Sequence, residues 1–367
     1  MDTDIFCVLC GNPFDLENDI YNIDSTAAKF KWIRDVRILG STRAMHTMLL
    51  TASTATGVLP KNLSGSKTVF LSEEIRWVST DADFFHLDGS YYNVLCRDIA
   101  GNALFPLHYT CLELGCRVFR SQSEADSGGL TPYFLEMLNG MLKQRFKYRA
   151  GSAKRDLHHM FNLKIDCDHY GPRSLLALNE LGWWSGAYEK FLTDPLDVPG
   201  IAAFIFDILV SLPRAKDIYI ERPHPEGKLR PLETLPNELL DRINDYLPAR
   251  SVIALHDTSR ALAYKIRLDD RFWRTQLLSG SLIPQIWDIN PRELEVLQDE
   301  WKKAVPTDSA RWNWRSLVRN LRRTRIPITH RETLLENIPK GYRNRCRIWN
   351  IMSEAFSQRE MAPEKND

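Results

Sequence analysis

The sequence predicts an α+β protein that is predominantly α. Strand-like runs and a glycine-centred turn are confined to roughly the first 120 residues. Apolar residues then recur at helical spacing over most of the remainder. In the middle lies "LPNELLDRINDYLP", Leu235 to Pro248, a short amphipathic helix with a proline near each end.

The totals bound the answer. A chain of 367 residues is long enough for two or three domains. Its 44% hydrophobic and 26% charged residues are those of a folded soluble protein. The formal net charge of +1 gives no whole-chain field toward nucleic acid or a membrane. The start, "MDTDIFCVLC", carries acids where a secretory signal carries Lys or Arg. The longest apolar run, Ile201 to Leu212, includes Asp207 and falls short of the roughly 20 residues a bilayer needs, so it predicts a buried helix. Seven cysteines, an odd number, point to reduced thiols in the cytosol or nucleus. The sequon-like Asn62-Leu63-Ser64 then carries no glycan.

Taken in order, "AAKFKWIRDVRILG" has Phe30, Ile33, Val36 and Arg37 at helical spacing. "TASTATGVLPKNLSGSKT" is small, polar and broken by Gly and Pro, which predicts a loop. "YYNVLCRDIAGNALFPLH" predicts a hairpin turning at Ala100-Gly101-Asn102. "YTCLELGCRVF" continues it as a helix, and "SQSEADSGGLTP" is another loop. Residues 132–212 are mostly helical by pattern, with Phe134, Met137, Leu138, Met141 and Leu142 on one face and Pro199 near a helix start. "YIERPHPEGKLRPLET" is a linker, and the Leu235 stretch starts as it ends.

That stretch sets Leu239, Leu240, Ile243, Tyr246 and Leu247 on one apolar stripe. Pro236 suits a first turn that needs no amide donor. Glu238 favours the N-terminus electrostatically, and Pro248 ends the helix. Ser251 is a candidate N-cap for a second helix bearing Val252, Ile253 and Leu255. "DTSRALAYKI" gives a third, with Leu262 and Ile266 four apart. "DDRFWRTQL" then sets Phe272 and Trp273 beside Leu277. Three helices in about 35 residues bury little surface alone.

By periodicity this is a helical segment of a larger core. The order of residues adds more. "LPNELLDRINDYLPARSVIALHDTSRALA" followed by "DDRFW" resembles the F-box, through Leu235, Pro236, Glu238, Leu239, Leu240, Ile243, Leu247, Pro248, Val252, Leu255, Ser259, Arg260 and Trp273. It departs at Thr258 and at Ala261 to Ala263, where many F-boxes carry a valine and a tryptophan. The resemblance implies a partner: the Skp adaptor of SCF-type cullin-RING ubiquitin ligases and, through it, cullin. It implies adaptor contacts at Leu235, Pro236, Leu239, Leu240, Ile243, Leu247, Pro248, Val252 and Leu255. Aliphatic residues on more than one face of a small unit leave area for such a partner.

"CVLCGNPF" holds Cys7-x-x-Cys10 followed by Gly11, the shape of a zinc knuckle. "HYTC" offers His108 and Cys111 at the first turn of the helix after the predicted hairpin. Knuckle, hairpin and helix in this order suit a treble-clef-like site with three thiolates and one imidazole, closed and structural. The two pairs lie about a hundred residues apart, Cys96 and Cys116 compete as ligands, and ordinary buried thiols are the other reading. The chain also looks similar to many fungal F-box proteins beyond the box, in Cys-x-x-Cys-Gly, "KWIRDVR", "PLHYTC" and the C-terminal "NRCRIW".

From Trp301 to Trp349 there are about a dozen Lys and Arg against three acids, interleaved with Trp301, Trp312, Trp314 and Trp349. Such a stretch suits nucleic acid. However, Trp314, Leu317, Val318 and Leu321 form one helical face, and Tyr342, Trp349, Met352 and Phe356 another. The favoured reading is core with arginines solvated or stacked outside, ahead of an acidic partner and then nucleic acid. No GxxxxGK[ST], GxGxxG, HExxH or GxSxG motif occurs, and His158-His159 and "DCDHYG" match no ligand spacing.

The expected organisation is a mixed α/β part at 1–120 with the zinc-type site, a helical part at 121–218 packed on it, the three-helix F-box at 232–278, a basic Trp-rich helical region at 279–358 and a disordered tail at 359–367. The expected role is a non-catalytic substrate receptor of a ubiquitin ligase that recruits a protein substrate, with no membrane partner. The alternatives are a Skp-binding protein outside the ligase and a zinc-stabilised nucleic-acid binder.

Overall fold

The computed structural model describes residues 7–14, 16, 23–51, 61–75, 84–87, 90–94, 100–122, 129–150, 189–213, 230–304, 312–323 and 338–357. They form an α+β protein, predominantly α, in two units. Unit 1 is Met1–Pro199 with Pro327–Asp367, and unit 2 is Gly200–Ile326.

Unit 1 begins with a 3-10 helix, Ala28–Arg34, which buries Phe30, Trp32 and Ile33. Strand β1, Val36–Ser41, follows at once. The helical spacing expected across "AAKFKWIRDVRILG" therefore stops at Asp35, because Val36 and Arg37 enter a ladder. Helix α1, Thr42–Thr47, is N-capped by the Ser41 hydroxyl, which accepts from Ala44 N–H. The strands β2 (Leu49–Thr51), β3 (Val69–Leu71), β4 (Phe84–Leu87), β5 (Ser90–Asn93) and β6 (Leu104–His108) complete two three-stranded antiparallel sheets. One is ordered β3-β1-β6 and the other β2-β5-β4.

The expected hairpin from Tyr91 to His108 is corrected by this topology. Its first run, β5, pairs with β2 and β4, while its second, β6, pairs with β1 from Val36↔His108 to Gly40↔Leu104. A fully buried strand such as β6 takes whichever partner completes the buried sheet, and sequence adjacency does not decide it. Gly40 permits the close β1–β6 approach, since a Cβ there would lie 2.6 Å from Leu104 Cδ2 and 2.9 Å from the Ala103 carbonyl.

Helix α2, Tyr109–Gln122, leaves β6 directly. Helix α3, Pro132–Ala150, buries Phe134, Met137, Leu138, Met141 and Leu142 as its spacing predicts, and packs on β1 and β3. After a short α4, Glu189–Leu192, unit 1 is closed from the far end of the chain. The C-terminal helix, Lys340–Ser357, packs on α2 and α4 and brings Tyr342, Trp349, Met352 and Phe356 into the core. Phe356 meets Phe119 and Phe134 edge-on, with centroids 6.1 and 6.4 Å away.

Unit 2 starts with α5, Ile201–Ser211, the apolar run, preceded by Gly200 in the left-handed region. Four short helices follow: α6 (Asn237–Tyr246), α7 (Ala249–Thr258), α8 (Arg260–Lys265) and α9 (Asp270–Leu278). Leu240, Val252, Leu262 and Ile266 make their core, flanked by Leu235, Leu247, Leu255, Leu268 and Phe272. Pro236 and Pro248 precede α6 and α7, so Ser251 lies inside α7 and is not its cap. Ser259 and Asp269 cap α8 and α9 through their side-chain oxygens. Helices α10 (Pro291–Ala304) and α11 (Trp314–Arg323) pack on α5, and α11 also on α9, with Trp314, Leu317 and Val318 inward. The C-terminal helix of unit 1 is thus α12. Cys96, His158, His159 and the segment "DCDHYG" lie outside the described residues, as does the 359–367 tail. So do residues 52–60 of "TASTATGVLPKNLSGSKT", 123–128 of "SQSEADSGGLTP" and 219–229 of "YIERPHPEGKLRPLET".

A candidate metal centre between the knuckle and the β6–α2 junction

The first two ligands sit in a tight turn. Cys7 N–H donates to the Asn12 carbonyl at 2.9 Å, and Gly11 N–H to the Cys7 carbonyl at 2.9 Å. Gly11 has φ 73°, a conformation that disfavours any residue with a Cβ. The turn is held against the sheet by Val8 N–H donating to the Pro106 carbonyl of β6 at 3.1 Å.

The other two ligands come from where β6 becomes α2. His108 is the last residue of the strand, paired with Val36, and Cys111 is in the first turn of the helix. The sequence reading set both in the helix; ladder pairing keeps His108 in the strand. The result is a buried cluster in which one donor atom from each of Cys7, Cys10, His108 and Cys111 lies within 4.8 Å of the others. Cys10 Sγ is 3.5 Å and Cys111 Sγ 3.9 Å from His108 Nδ1. Cys116, a competing ligand by sequence, is not a member: its thiol donates to the Gly129 carbonyl at 2.9 Å.

The surroundings orient the donors. His108 Nε2 lies 3.1 Å from the Pro13 carbonyl, which can only accept, so Nε2 carries the proton and Nδ1 faces the thiols. Phe14 and Trp32 flank the imidazole at centroid distances of 4.9 and 4.8 Å. Trp32 is itself fixed by donating Nε1–H to the Leu192 carbonyl at 2.7 Å. Backbone amides serve the sulfurs: His108 N–H reaches Cys7 Sγ at 3.3 Å, and Asn12 N–H reaches Cys10 Sγ at 3.4 Å.

The buried thiols are shifted in opposite directions. Burial opposes ionisation of Cys7, but hydrogen bonds from Cys10 and Cys111 and the charge of His108 hold its thiol well below the usual range. Burial pushes the Cys111 thiol well above it, helped by Cys10 and Cys7. Burial disfavours the His108 cation, yet the Cys7 and Cys10 sulfurs raise its pKa to about 10. An ion that binds there displaces protons from its donors. Four convergent, buried donors can hold a metal ion.

The sequence reading missed the residues that support the centre from α12. Arg347 is 1% exposed, and its guanidinium donates to the Cys10 carbonyl at 2.8 Å and to Asn12 Oδ1 at 2.7 Å. Arg345, fully buried, donates to the Pro195 carbonyl at 2.6 Å and the Leu196 carbonyl at 3.0 Å. The expected solvated arginines are thus corrected at these two positions, because unsatisfied backbone carbonyls inside unit 1 need donors. A signal was present: Tyr342, Ile348, Trp349, Ile351 and Met352 span more than one helical face, so burial of this helix is not confined to one stripe.

Of the adaptor-contact candidates, Leu240 and Val252 are core residues of unit 2, 1% and 4% exposed. Leu235, Ile243, Leu247 and Leu255 are half-buried, and Pro236, Leu239 and Pro248 are exposed. Leu239 is 47% exposed, as is Tyr246 at 89%, so the stripe drawn along α6 is split between core and surface. Among the described residues no helix is long and apolar enough to cross a membrane. No family model matches the chain, and no curated protein or solved structure matches it either.

Proposed function

We propose that the chain is an F-box substrate receptor of an SCF-type ubiquitin ligase, with one structural zinc ion in its N-terminal unit. The reading is carried by the split of α6. Leu240 closes a small core with Val252, Leu262 and Ile266, while Leu239, next to it, and Pro236 stand in solvent. An exposed leucine beside the Leu-Pro start of a module with its own core suits an adaptor that covers it. Lys265 Nζ donates to the Leu235 carbonyl at 2.7 Å and fixes that start from α8.

The mechanism is proximity. The module holds the Skp adaptor and the assembled ligase, other surfaces hold a protein substrate, and the effective concentration of substrate lysines near the ubiquitin-loaded enzyme rises. No residue of this chain carries out chemistry in that scheme.

Zinc is the ion the donor set favours. Three thiolates and an imidazole are a structural zinc set, and Zn–S near 2.3 Å with Zn–N near 2.0 Å puts tetrahedral donors about 3.5–3.8 Å apart. The Cys10–His108 separation of 3.5 Å matches that spacing, and the Cys111–His108 separation of 3.9 Å is slightly wider. Bound there, zinc acts as a structural cross-link between the knuckle and the β6–α2 junction.

Co-expression with a Skp adaptor, then size-exclusion chromatography in high salt with zinc analysis of the same peak, tests both parts. The expected result is a one-to-one complex carrying one zinc and lost on Leu239→Asp, with the far-ultraviolet circular dichroism retained. A folded chain that ignores the adaptor ends the F-box reading. A second reading, an acidic or nucleic-acid partner, is favoured by Arg319 and Arg322, exposed on α11. Salt separates the two, since phosphate binding falls steeply with it and an apolar interface does not.

A further inference from the structure

The metal centre and the C-terminal helix meet in one buried network. The guanidinium of Arg347 reaches the Cys10 carbonyl and Asn12 Oδ1, and Asn12 N–H in turn donates to Cys10 Sγ at 3.4 Å. Asn12 Nδ2 donates to the Phe191 carbonyl at 2.9 Å, and Arg347 lies over the Phe191 ring at 5.9 Å. Asn344 Oδ1 accepts from Arg347 Nε and Nη2 at 3.2 and 3.1 Å, while its Nδ2 donates to the Thr193 carbonyl at 2.8 Å. Arg347 thus links a residue near the start of the chain to one near its end, 337 positions apart.

The charges match as well. A divalent ion with three thiolates and a neutral imidazole carries one net negative charge. A buried net charge is costly unless a counter-charge shares its environment. Arg347 is a permanent cation and is buried within one hydrogen bond of the Cys10 backbone carbonyl and the Asn12 side chain. Its hydrogen-bond acceptors named above are neutral, so a buried guanidinium here gains from a negative centre as much as the centre gains from it.

We propose that Arg347 is the positioning residue that makes metal binding and docking of α12 interdependent: the ion is held tightly only with α12 in place, and α12 stays in place only with the ion held. This rests on the metal reading above and goes beyond it, because it assigns the closure of unit 1 by its C-terminal helix to the state of a site at the N-terminus.

The test uses the full-length protein. Zinc affinity is measured by chelator competition for wild type, Arg347→Met, Arg347→Lys and Arg345→Met, and the cobalt-substituted forms are compared by their thiolate charge-transfer bands. Arg347→Met should lose about 10–100-fold in affinity, the range for groups that orient metal ligands. Arg347→Lys should recover part of it, since it keeps the charge without the planar fork. Arg345→Met is the control: it is as buried and on the same helix, but it serves Pro195 and Leu196 and not the ligand turn, so it should cost affinity only through the docking of α12 and lose less than Arg347→Met. Hydrogen exchange of wild type with and without zinc needs no variant, and protection across Lys340–Ser357 should fall on chelation. Equal affinities for wild type and Arg347→Met, an equal loss in Arg345→Met, or unchanged exchange in α12 overturns the proposal. A wild-type chain that takes up neither zinc nor cobalt overturns the metal reading itself and this inference with it.

Discussion

Arg345, Arg347 and Gly341 show how far a single residue can be judged from its type. Charged residues are the ones least often fully buried, and "YRNRCRIW" read in isolation is a solvated basic run. In the structure two of its arginines are buried against carbonyls, Arg347 at Cys10 and Arg345 at Pro195 and Leu196. What they satisfy lies in distant segments, and nothing local in the sequence points to Pro195 or Cys10. Gly341 is a quieter case. A Cβ at this position would collide with the Asp194 carbonyl and lie 3.3 Å from Val198 Cγ2. The obstacle is backbone, which cannot swing aside, so the first turn of α12 must lift. Gly341→Ala should therefore destabilise unit 1 by about 1–3 kcal/mol despite the better helix propensity of alanine, measured by chemical denaturation. An unchanged midpoint would mean that the turn relaxes freely.

Elements were legible where their own periodicity was long and were misjudged where pairing decided. The face of α3 and the core positions of α11 and α12 follow from apolar spacing alone, and each is an interior face. The Tyr91–His108 region did not follow, because two apolar runs around a glycine turn look alike whether they pair together or with strands elsewhere. Between elements, Glu189 of α4 forms ion pairs with Lys29 of the 3-10 helix and Lys340 of α12. Partial burial opposes its ionisation, but the hydrogen bonds from both lysines prevail and hold its carboxyl below the usual range. A depressed folded-state pKa gives stability that is present above the unfolded value, about 4.3, and lost as pH falls through the folded one. Both lysines are about half exposed, so solvent screening keeps the contribution below about 1 kcal/mol. Glu189→Gln should thus be slightly less stable than wild type near neutral pH. The gap should close in acid below about pH 4 and in molar salt. A gap that persists in acid would assign the effect to packing.

At the scale of the whole chain, unit 1 is built from both ends of the sequence and unit 2 from the stretch between them. Local patterns cannot reveal this. The half-sites Cys7-x-x-Cys10 and His108-x-x-Cys111 were each readable, but their meeting depends on a loop closure of 98 residues that only the fold makes. The residue types of the centre were therefore legible and its existence was not. The division also governs what perturbations should do. All four ligands lie in unit 1, and unit 2 has a separate core around Leu240. A ligand that binds only the folded form stabilises it by mass action, so chelation lowers the stability of the unit that carries the site. Leu240→Ala removes buried volume from the other and should cost about 2–5 kcal/mol there. In calorimetry of the full chain, a chelator should move the transition of unit 1 to lower temperature, and Leu240→Ala that of unit 2. A single transition that responds to both would mean that the chain unfolds as one cooperative body, and that Leu239→Asp reports on the entire protein rather than on one module.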